Sequence, residues 1–407
     1  MTVLHTSDWH LGQKFLFRDR EYEHQAALDW LHELIAEEGV DVLIVAGDVF
    51  DIGNPPNYAR RMYYNFITNL RKTACRHVVI VGGNHDSPSM LEAPRDLLQS
   101  MQVHVVGSGR TEPEEEVIVL KDQQGQPEAI VAAVPFLRDR DLRTSVAGET
   151  GIQRIDKIRE GIKQHYEAVG AVCEQYRELD VPILATGHLY AQGAAASDKQ
   201  DNIYIGDKEN IQVGDFPGVF DYVALGHIHR QQAIGGQEHV RYCGSLIPLS
   251  FSETKDDKGV LLLTFAGKKL EEVAVKQLPV FRRLKTIRGN LAEVEEALQR
   301  FAAKGDRGLT PWVEVLVERE GAPARLDLHL QQLVEDADLE LLKIRLVGSQ
   351  KEAWDTDQEV VDLEDLDIEE VFRRRCASVG LEEEETDELT HTFKELIDWQ
   401  RTESEEA

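Results

Sequence analysis

The sequence predicts an α/β chain that continues into a smaller α+β unit and then into C-terminal helices. Three observations lead there. Short apolar runs at Val42–Ala46, Val78–Val81, Ile183–Thr186 and Tyr222–Leu225 each end at glycine followed by Asp, Asn or His. Stretches of helical period lie between them, and a second alternation of strand and helix patterns begins after Leu278-Pro279. Runs of this length, rich in Val, Ile and Leu, read as buried strands.

The elements follow in order. Asp19–Glu37 reads as an amphipathic helix with Tyr22, Ala26, Leu31, Leu34 and Ile35 on its apolar side. Asn57–Thr73 is a second helix, opened by Asn54-Pro55-Pro56. Its stripe of Tyr58, Met62, Tyr63, Phe66, Ile67 and Leu70 is a core face or, alternatively, the face that meets a second copy. Glu112–Gln126, polar and with Gly and Pro, is a hairpin or loop. Ala191–Asp198, small and polar, is a lid or a plain surface loop. Beyond Pro279 come a strand at Leu284–Ile287, a helix at Leu291–Ala303, a strand at Trp312–Val317, a helix near Leu326–Ala337 and a strand at Leu342–Val347. An acidic linker, Asp355–Asp367, leads to helices at Ile368–Ala377 and Asp387–Trp399. The second carries Leu389, Phe393, Leu396 and Ile397 on one side, with Trp399 a further candidate, a stripe suited to docking on a partner or to folding back on its own domain. The expected partition is 1–275 for the catalytic unit, 280–350 for the α+β unit and 351–407 for the linker and helices.

Five motifs carry the chemistry. They are Asp8-Trp9-His10, Gly47-Asp48-Val49-Phe50-Asp51, Gly83-Asn84-His85-Asp86, Gly187-His188 and Gly226-His227-Ile228-His229. Open α/β sheets present functional side chains from loops at strand ends. The pairs Asp8/His10 and His227/His229 are spaced i, i+2, which in an extended segment turns both side chains the same way. A lone histidine at a strand end ordinarily packs or bonds locally, and a lone Gly-Asp is ordinarily a turn. The order of all five at such junctions argues for one site. Two carboxylates, an amide and imidazoles without thiolate suit two divalent cations, Mn²⁺ first and Fe²⁺ or Zn²⁺ next. Two metals roughly 3.5–4 Å apart can clamp the attacking and leaving oxygens of a phosphoester displacement. Asp8, His10, Asp48 and His229 are the expected ligands of one ion; Asp48, Asn84, His188 and His227 are those of the other, with Asp48 bridging. His85 is the expected catalytic residue, protonating the leaving oxygen or stabilising developing charge. Asp51 and Asp86 are candidates to orient imidazoles. His5, His24, His32, His77, His104, His165, His239, His329 and His391 fall outside the motifs and are read as packing residues.

At 407 residues the chain is long enough for two domains and an appendage. It begins in a strand-like run without a basic or apolar leader, and no stretch nears 18 uninterrupted apolar residues. Cys75, Cys173, Cys243 and Cys376 are scattered and read as reduced thiols. These features predict a cytoplasmic protein without a membrane span. The net charge of −29 excludes a simple basic nucleic-acid-binding module. About half of that excess sits in residues 351–407, which hold 21 Asp/Glu against 6 Lys/Arg. Arg18, Arg20, Arg60, Arg61, Arg138, Arg140, Arg143, Arg230 and Arg241 lie in or beside the motif loops, where a few could touch a phosphate backbone and most would be salt-bridged.

The motif set resembles that of the calcineurin-like metallophosphoesterase superfamily, with all five blocks present. His5–Gly12, Ala46–Asp51, Asn54-Pro55-Pro56 with Tyr58-Ala59-Arg60, Ala224–Arg230, His239–Ser245 and Ile247–Phe251 also resemble nuclease subunits of the SbcD type. The likeness is dense over 1–275 and thinner beyond. It implies a four-layer α-β-β-α sandwich with a cap domain that shapes DNA access. It implies a manganese-dependent nuclease that resects or clips double-stranded ends and opens hairpins in DNA repair, recombination and replication. The implied partners are DNA, an SbcC-type coiled-coil ATPase docked on the C-terminal helices, and a second copy in a heterotetramer. A phosphoesterase of small nucleotides or phosphoproteins would use the same metal core, and a non-catalytic scaffold would have lost ligands; none is lost.

Overall fold

The computed structural model describes residues 1–142, 151–192, 211–303, 308–319 and 325–347, with isolated positions at 194, 323, 389, 390 and 393. The linker Asp355–Asp367 and the helix Ile368–Ala377 lie outside the described residues, as does nearly all of Asp387–Trp399. Most of the lid segment Ala191–Asp198 does so too. Contacts divide the chain into Met1–Gly148 with Gln153–Gln350, and Glu149–Ile152 with Lys351–Ala407; the first unit carries all the sheets.

Two six-stranded sheets form its centre. The first runs in the order Lys269–Gln277, Gly259–Ala266, Thr2–Thr6, Val42–Ala46, His77–Val81, Val103–Val106. Its last four strands are parallel, and Gly259–Ala266 pairs antiparallel with Thr2–Thr6. The second runs Gln232–Ile234, Gln237–Tyr242, Tyr222–Gly226, Ile183–His188, Pro127–Ala132, Val117–Lys121. Its middle four strands are parallel, and both edges are antiparallel. Glu112–Gln126 therefore supplies a short 3₁₀ turn and one arm of a hairpin, as its turn residues suggest.

Period 2 divides each strand of the second sheet between two cores. Ala129, Val131, Leu184, Tyr222 and Ala224 join the buried residues of the first sheet. Ile130, Ala132, Ile183, Ala185, Val223 and Leu225 pack instead with Ile158, Ile162, Tyr166 and Val169 of the helix Gly151–Cys173. The first sheet is covered on its other side by Glu21–Glu37 and Asn57–Leu70. The layers are thus helix, sheet, sheet, helix.

The helix at Asn57–Leu70 buries Met62, Tyr63, Phe66, Ile67 and Leu70, so its stripe is a core face. Glu21–Glu37 departs from expectation at one end. Tyr22 is exposed, while Glu23 and His24 are buried. The cause is Arg20, whose buried guanidinium binds the Glu23 carboxylate at 2.5 Å and turns the first helical residues inward.

The third sheet, Arg282–Gly289, Leu309–Glu318, Glu340–Val347, is all-parallel, with helices Leu291–Ala302 and Leu326–Leu333 as crossovers. Helix Leu291–Ala302 starts on a capping box: Asn290 accepts from the Glu293 amide while Glu293 accepts from the Asn290 amide. The sheet meets the sandwich through aromatic residues. Trp312 stacks on Phe15 at 5.4 Å, Phe15 meets Phe251 edge-on at 5.0 Å, and the Arg282 guanidinium lies 3.9 Å from the Trp312 ring. Arg282 also reaches Glu23 at 2.8 Å, so Glu23 joins Arg20 and Arg282.

Candidate metal centre

The motif residues converge at the ends of the parallel strands Thr2–Thr6, Val42–Ala46, His77–Val81, Ile183–His188 and Tyr222–Gly226. The loops after the first two strands run side by side. Asp8 donates its amide to the Gly47 carbonyl, and His10 donates to that of Asp48, each at 3.0 Å. This continues the pairing beyond the strands, but with unusual backbone. Asp8, His10, Asp48 and His227 have φ of 52°, 46°, 50° and 95°. Non-glycine residues in the left-handed region cost about 1–3 kcal/mol each and persist where surroundings impose them, commonly at functional sites. The i, i+2 argument from an extended chain therefore does not apply to Asp8/His10; the tight turn directs both side chains inward.

Close packing of backbone explains the glycines. A Cβ on Gly83 would lie 2.1 Å from Asp48 Oδ1 and 2.3 Å from its amide nitrogen. One on Gly47 would lie 2.2 Å from His188 Nδ1, and one on Gly226 would lie 1.9 Å from the Ala46 carbonyl oxygen. At these places a side chain would occupy the volume of a functional group.

Asp48 stands at the centre. Its Oδ2 is 3.4 Å from His10 Nε2 and 3.2 Å from His188 Nε2, and its Oδ1 accepts the His85 amide at 3.0 Å. Asn84 Oδ1 lies 2.9 Å from His188 Nε2 and 3.1 Å from His227 Nδ1. Asp8, His10 and His229 form one cluster of potential ligand atoms, and Asp8, Asp48 and His188 form another, all within 4.8 Å of one another in each. Asp8 is held by Ser7 Oγ at 2.6 Å and by the His227 amide at 2.9 Å.

The surroundings decide which nitrogens face inward. His188 Nδ1 donates to the Ala46 carbonyl at 2.9 Å, which turns Nε2 toward Asp48 and Asn84. His10 Nδ1 donates to Asp51 Oδ1 at 3.2 Å, and its buried Nε2 has no hydrogen-bond partner. Asp51 thus faces the ring nitrogen of His10 that points away from Asp48. His85 Nδ1 donates to the Asp51 carbonyl at 2.7 Å, and its ring lies edge-on to that of His10 at 4.8 Å. Asp86 does not orient an imidazole. Its carboxylate accepts the amides of Gly83, Phe50 and Val49 at 2.9, 2.9 and 3.1 Å, tying the second and third motif loops together. Buried backbone donors need acceptors, and Asp86 supplies them.

Electrostatics favours positive charge here. Burial opposes protonation of His10, yet the Asp51 hydrogen bond and the charges of Asp48, Asp51 and Asp8 raise its pKa to about 9. His188 is raised to about 9 against the same burial, chiefly by Asp48. Asp48 itself is held well below the usual carboxylate range: burial pushes it up, and His188, His10 and His85 outweigh that. Burial and the neighbouring His188 lower His227 to about 3, which keeps it neutral. Burial and the charge of Asp48 push Asp86 upward. The donor set fits divalent cations on these observations: an inward His10 Nε2 without a hydrogen-bond partner, a neutral His227, a carboxylate, Asp48, set between His10 and His188, and no thiol. Cys75, Cys173 and Cys243 are free thiols outside the clusters.

Residues 1–231 match the calcineurin-like phosphoesterase family, and residues 280–379 match the family described as type 5 capsule protein repressor C-terminal domain. The chain is 41% identical over 396 residues, 97% of each chain, to the SbcD subunit of nuclease SbcCD from Escherichia coli strain K12. The chain belongs to the SbcD family of calcineurin-like phosphoesterases. Proteins of the same name from Rhodobacter capsulatus and Bacillus subtilis are 34% identical over 375 residues, 86% of each chain, and 26% identical over 380 residues, 92% of each chain. Membership in the SbcD family makes the chain a nuclease subunit and a metal-dependent phosphodiesterase, and the wider phosphoesterase family uses a dinuclear site.

Beside the motif side chains stand residues that motif spacing misses. Glu253 Oε1 accepts from His229 Nδ1 at 3.2 Å, and Lys258 Nζ sits 2.7 Å from Glu253 Oε2. Tyr242 and Tyr166 brace the loop and strand around His188: Tyr242 donates to the Leu189 carbonyl at 2.7 Å, and Tyr166 to that of Thr186 at 2.9 Å. All of these come from segments far away in sequence, with no pattern to mark them. Of the arginines singled out, Arg143 lies outside the described residues. The other eight have partners within the chain. Arg20 is buried, which removes it from DNA contact. Arg138 donates to the Asp86 carbonyl at 3.0 Å, and Arg60 to that of Pro55 at 3.1 Å. Arg18, Arg61, Arg140, Arg230 and Arg241 pair with Glu340, Glu21, Asp141, Asp256 and Glu238. Among the described residues no helix is long and apolar enough to cross a membrane.

Proposed function

We propose that this chain cleaves DNA phosphodiester bonds at duplex ends and hairpins, at a site where Asp8, His10, Asp48 and His229 hold one divalent ion and Asp48, Asn84, His188 and His227 hold the other. The observation that carries the reading is Asp48 Oδ2, flanked by His10 Nε2 at 3.4 Å and His188 Nε2 at 3.2 Å, so that one carboxylate serves both halves. Mn²⁺ is the proposed ion, with Fe²⁺ and Zn²⁺ accepted by the same donors. Two such ions, when bound, supply the charge that polarises a phosphoryl group and acidifies water near neutral pH.

The side chains do the remaining work. The Ala46 carbonyl and Asp51 each take one ring proton, leaving His188 Nε2 and His10 Nε2 as donors of lone pairs. His85, with Nδ1 on the Asp51 carbonyl, keeps Nε2 for the substrate, where it donates a proton to the leaving oxygen or a hydrogen bond to the phosphoryl oxygens. Asp86 holds the loop that carries Asn84 and His85 against the loop that carries Asp48.

The relatives are named as one component of the nuclease SbcCD, which supports an SbcC-type coiled-coil ATPase as partner. In this reading residues 1–275 are the nuclease unit, 280–350 a cap and 351–407 the dock for the ATPase. A homodimer within a heterotetramer, working in the cytoplasm, completes it. The acidity of 351–407 suits a basic protein partner better than DNA.

The test is cleavage of end-labelled linear and hairpin DNA with Mn²⁺, with and without the ATPase and ATP, beside Asp48→Ala. Cleavage that needs Asp48 and that ATPase plus ATP extends on duplex ends is expected. Turnover of a small phosphodiester without any DNA cleavage would move the function to small substrates.

A further inference from the structure

Three buried polar side chains beside His229, those of Glu253, Lys258 and Ser245, are not explained by the metal ligands alone. His229 Nδ1 lies 3.2 Å from Glu253 Oε1. The other oxygen of Glu253 accepts from Lys258 Nζ at 2.7 Å, from the Leu249 amide at 3.1 Å and from Ser245 Oγ at 3.4 Å. Lys258 Nζ also donates to Ser245 Oγ and to the carbonyl oxygen of His229, each at 2.8 Å. One ammonium group therefore fixes both the backbone of His229 and the carboxylate that faces its ring. The side chains of Glu253 and Lys258 are only 2% and 6% exposed.

We propose that Glu253, held by Lys258 and Ser245, is a positioning residue that fixes the tautomer and orientation of His229 for metal binding. The inference rests on the dinuclear reading above and deepens it. An imidazole binds a cation through one unprotonated nitrogen, so the proton must sit on the other. Glu253 draws that proton to Nδ1, which leaves Nε2 for the cluster with Asp8 and His10. Without the carboxylate the ring is free to turn or to carry its proton on the ligating nitrogen. Glu253 is not itself a ligand: its two oxygens already meet five donors, Ser250 Oγ at 3.5 Å being the fifth. Its segment is anchored too, because Phe251, two residues earlier, packs edge-on against Phe15 at 5.0 Å. Partners that orient metal-bound histidines are worth about 10–100-fold in affinity.

The experiment is Mn²⁺ titration of the full chain, with free and bound ion followed by electron paramagnetic resonance. Wild type is compared with Glu253→Gln and with the double variant Glu253→Met/Lys258→Met. The double variant removes both buried charges together, so no lone charge remains to unfold the protein. Glu253→Gln keeps the volume and the contact to Lys258. The expected result is one ion bound with wild-type affinity and one about 10–100-fold weaker in the double variant, with a smaller loss in Glu253→Gln. The coupled two-ion signal should give way to a single-ion signal at concentrations that saturate wild type. Wild-type affinity at both positions in a folded double variant, or in Glu253→Gln should the double variant not fold, would overturn the inference alone. Wild type that binds fewer than two ions would overturn the dinuclear reading and this inference with it.

Discussion

Gly83→Ala is the most informative single substitution. The new methyl would stand 2.1 Å from Asp48 Oδ1, 2.3 Å from the Asp48 amide nitrogen and 2.7 Å from its carboxyl carbon. A carbon and an oxygen in ordinary contact sit about 3.5 Å apart, so the Asp48 loop must shift by roughly 1 Å or more. Rotating the carboxylate is not enough, because the amide nitrogen is backbone. Overpacking of this kind costs about 1–3 kcal/mol in stability. A misplacement of about 1 Å at the reacting groups costs on the order of 100-fold in rate. Gly53→Ala, in the loop just beyond Asp51, is the control: its methyl would meet only Ser87 Cβ, at 3.5 Å, an ordinary contact. Initial rates of Mn²⁺-dependent cleavage, with thermal melts, should show a loss of about 100-fold for Gly83→Ala and near wild-type behaviour for Gly53→Ala. Activity of Gly83→Ala within about threefold of wild type would refute the requirement that Asp48 stand where it does.

Further predictions follow from other parts of the molecule. His85→Ala should bind both ions and lose about 10²–10⁴-fold in cleavage; loss of an ion in a Mn²⁺ titration would make His85 a ligand. His5 is buried and lowered by that burial from 6.5 to about 3, so its stabilising neutrality is complete above pH 6.5 and is eroded as pH falls toward 3. Between pH 7 and pH 5 the metal-free protein should lose about 2 kcal/mol more than His5→Gln does, and parallel stability curves would contradict this. Trp312→Ala should cost about 3–5 kcal/mol, read by denaturant unfolding, because it removes the stack on Phe15 and the seat of Arg282; a change below about 1 kcal/mol would deny that stack its role. Deleting 368–407 should abolish binding of the ATPase and leave Mn²⁺ binding intact, and a pull-down that still recovers the ATPase would reject the dock.

The strands and the motif residues are legible in the sequence because both leave local marks. Val42–Ala46 is apolar throughout and Ile183–Thr186 is so but for Thr186, since parallel strands are covered on both faces, and each run is followed by the glycine that the site needs. Less visible is what the glycines avoid: nothing near Gly83 in sequence says that Asp48 stands against it. Spacing alone misleads about the backbone of Asp8 and His10, because left-handed non-glycine residues have no sequence signature and are imposed by the neighbouring loop. Asp86 sits beside His85 in sequence, yet its carboxylate is taken by three amides. Glu253 and Lys258 lie 24 and 29 residues past His229 and follow no period, so only folding brings them to its ring. Tyr22 falls on the apolar side by helical spacing, and the Arg20–Glu23 pair overrides that spacing.

The central claim is that Asp48 stands between two cations. Anomalous diffraction from crystals soaked in Mn²⁺ tests it most directly. Two peaks are predicted, one among Asp8, His10, Asp48 and His229 and one among Asp48, Asn84, His188 and His227. A single peak, or one held by His10, Asp51 and His85, a third cluster close enough to take an ion, would contradict it.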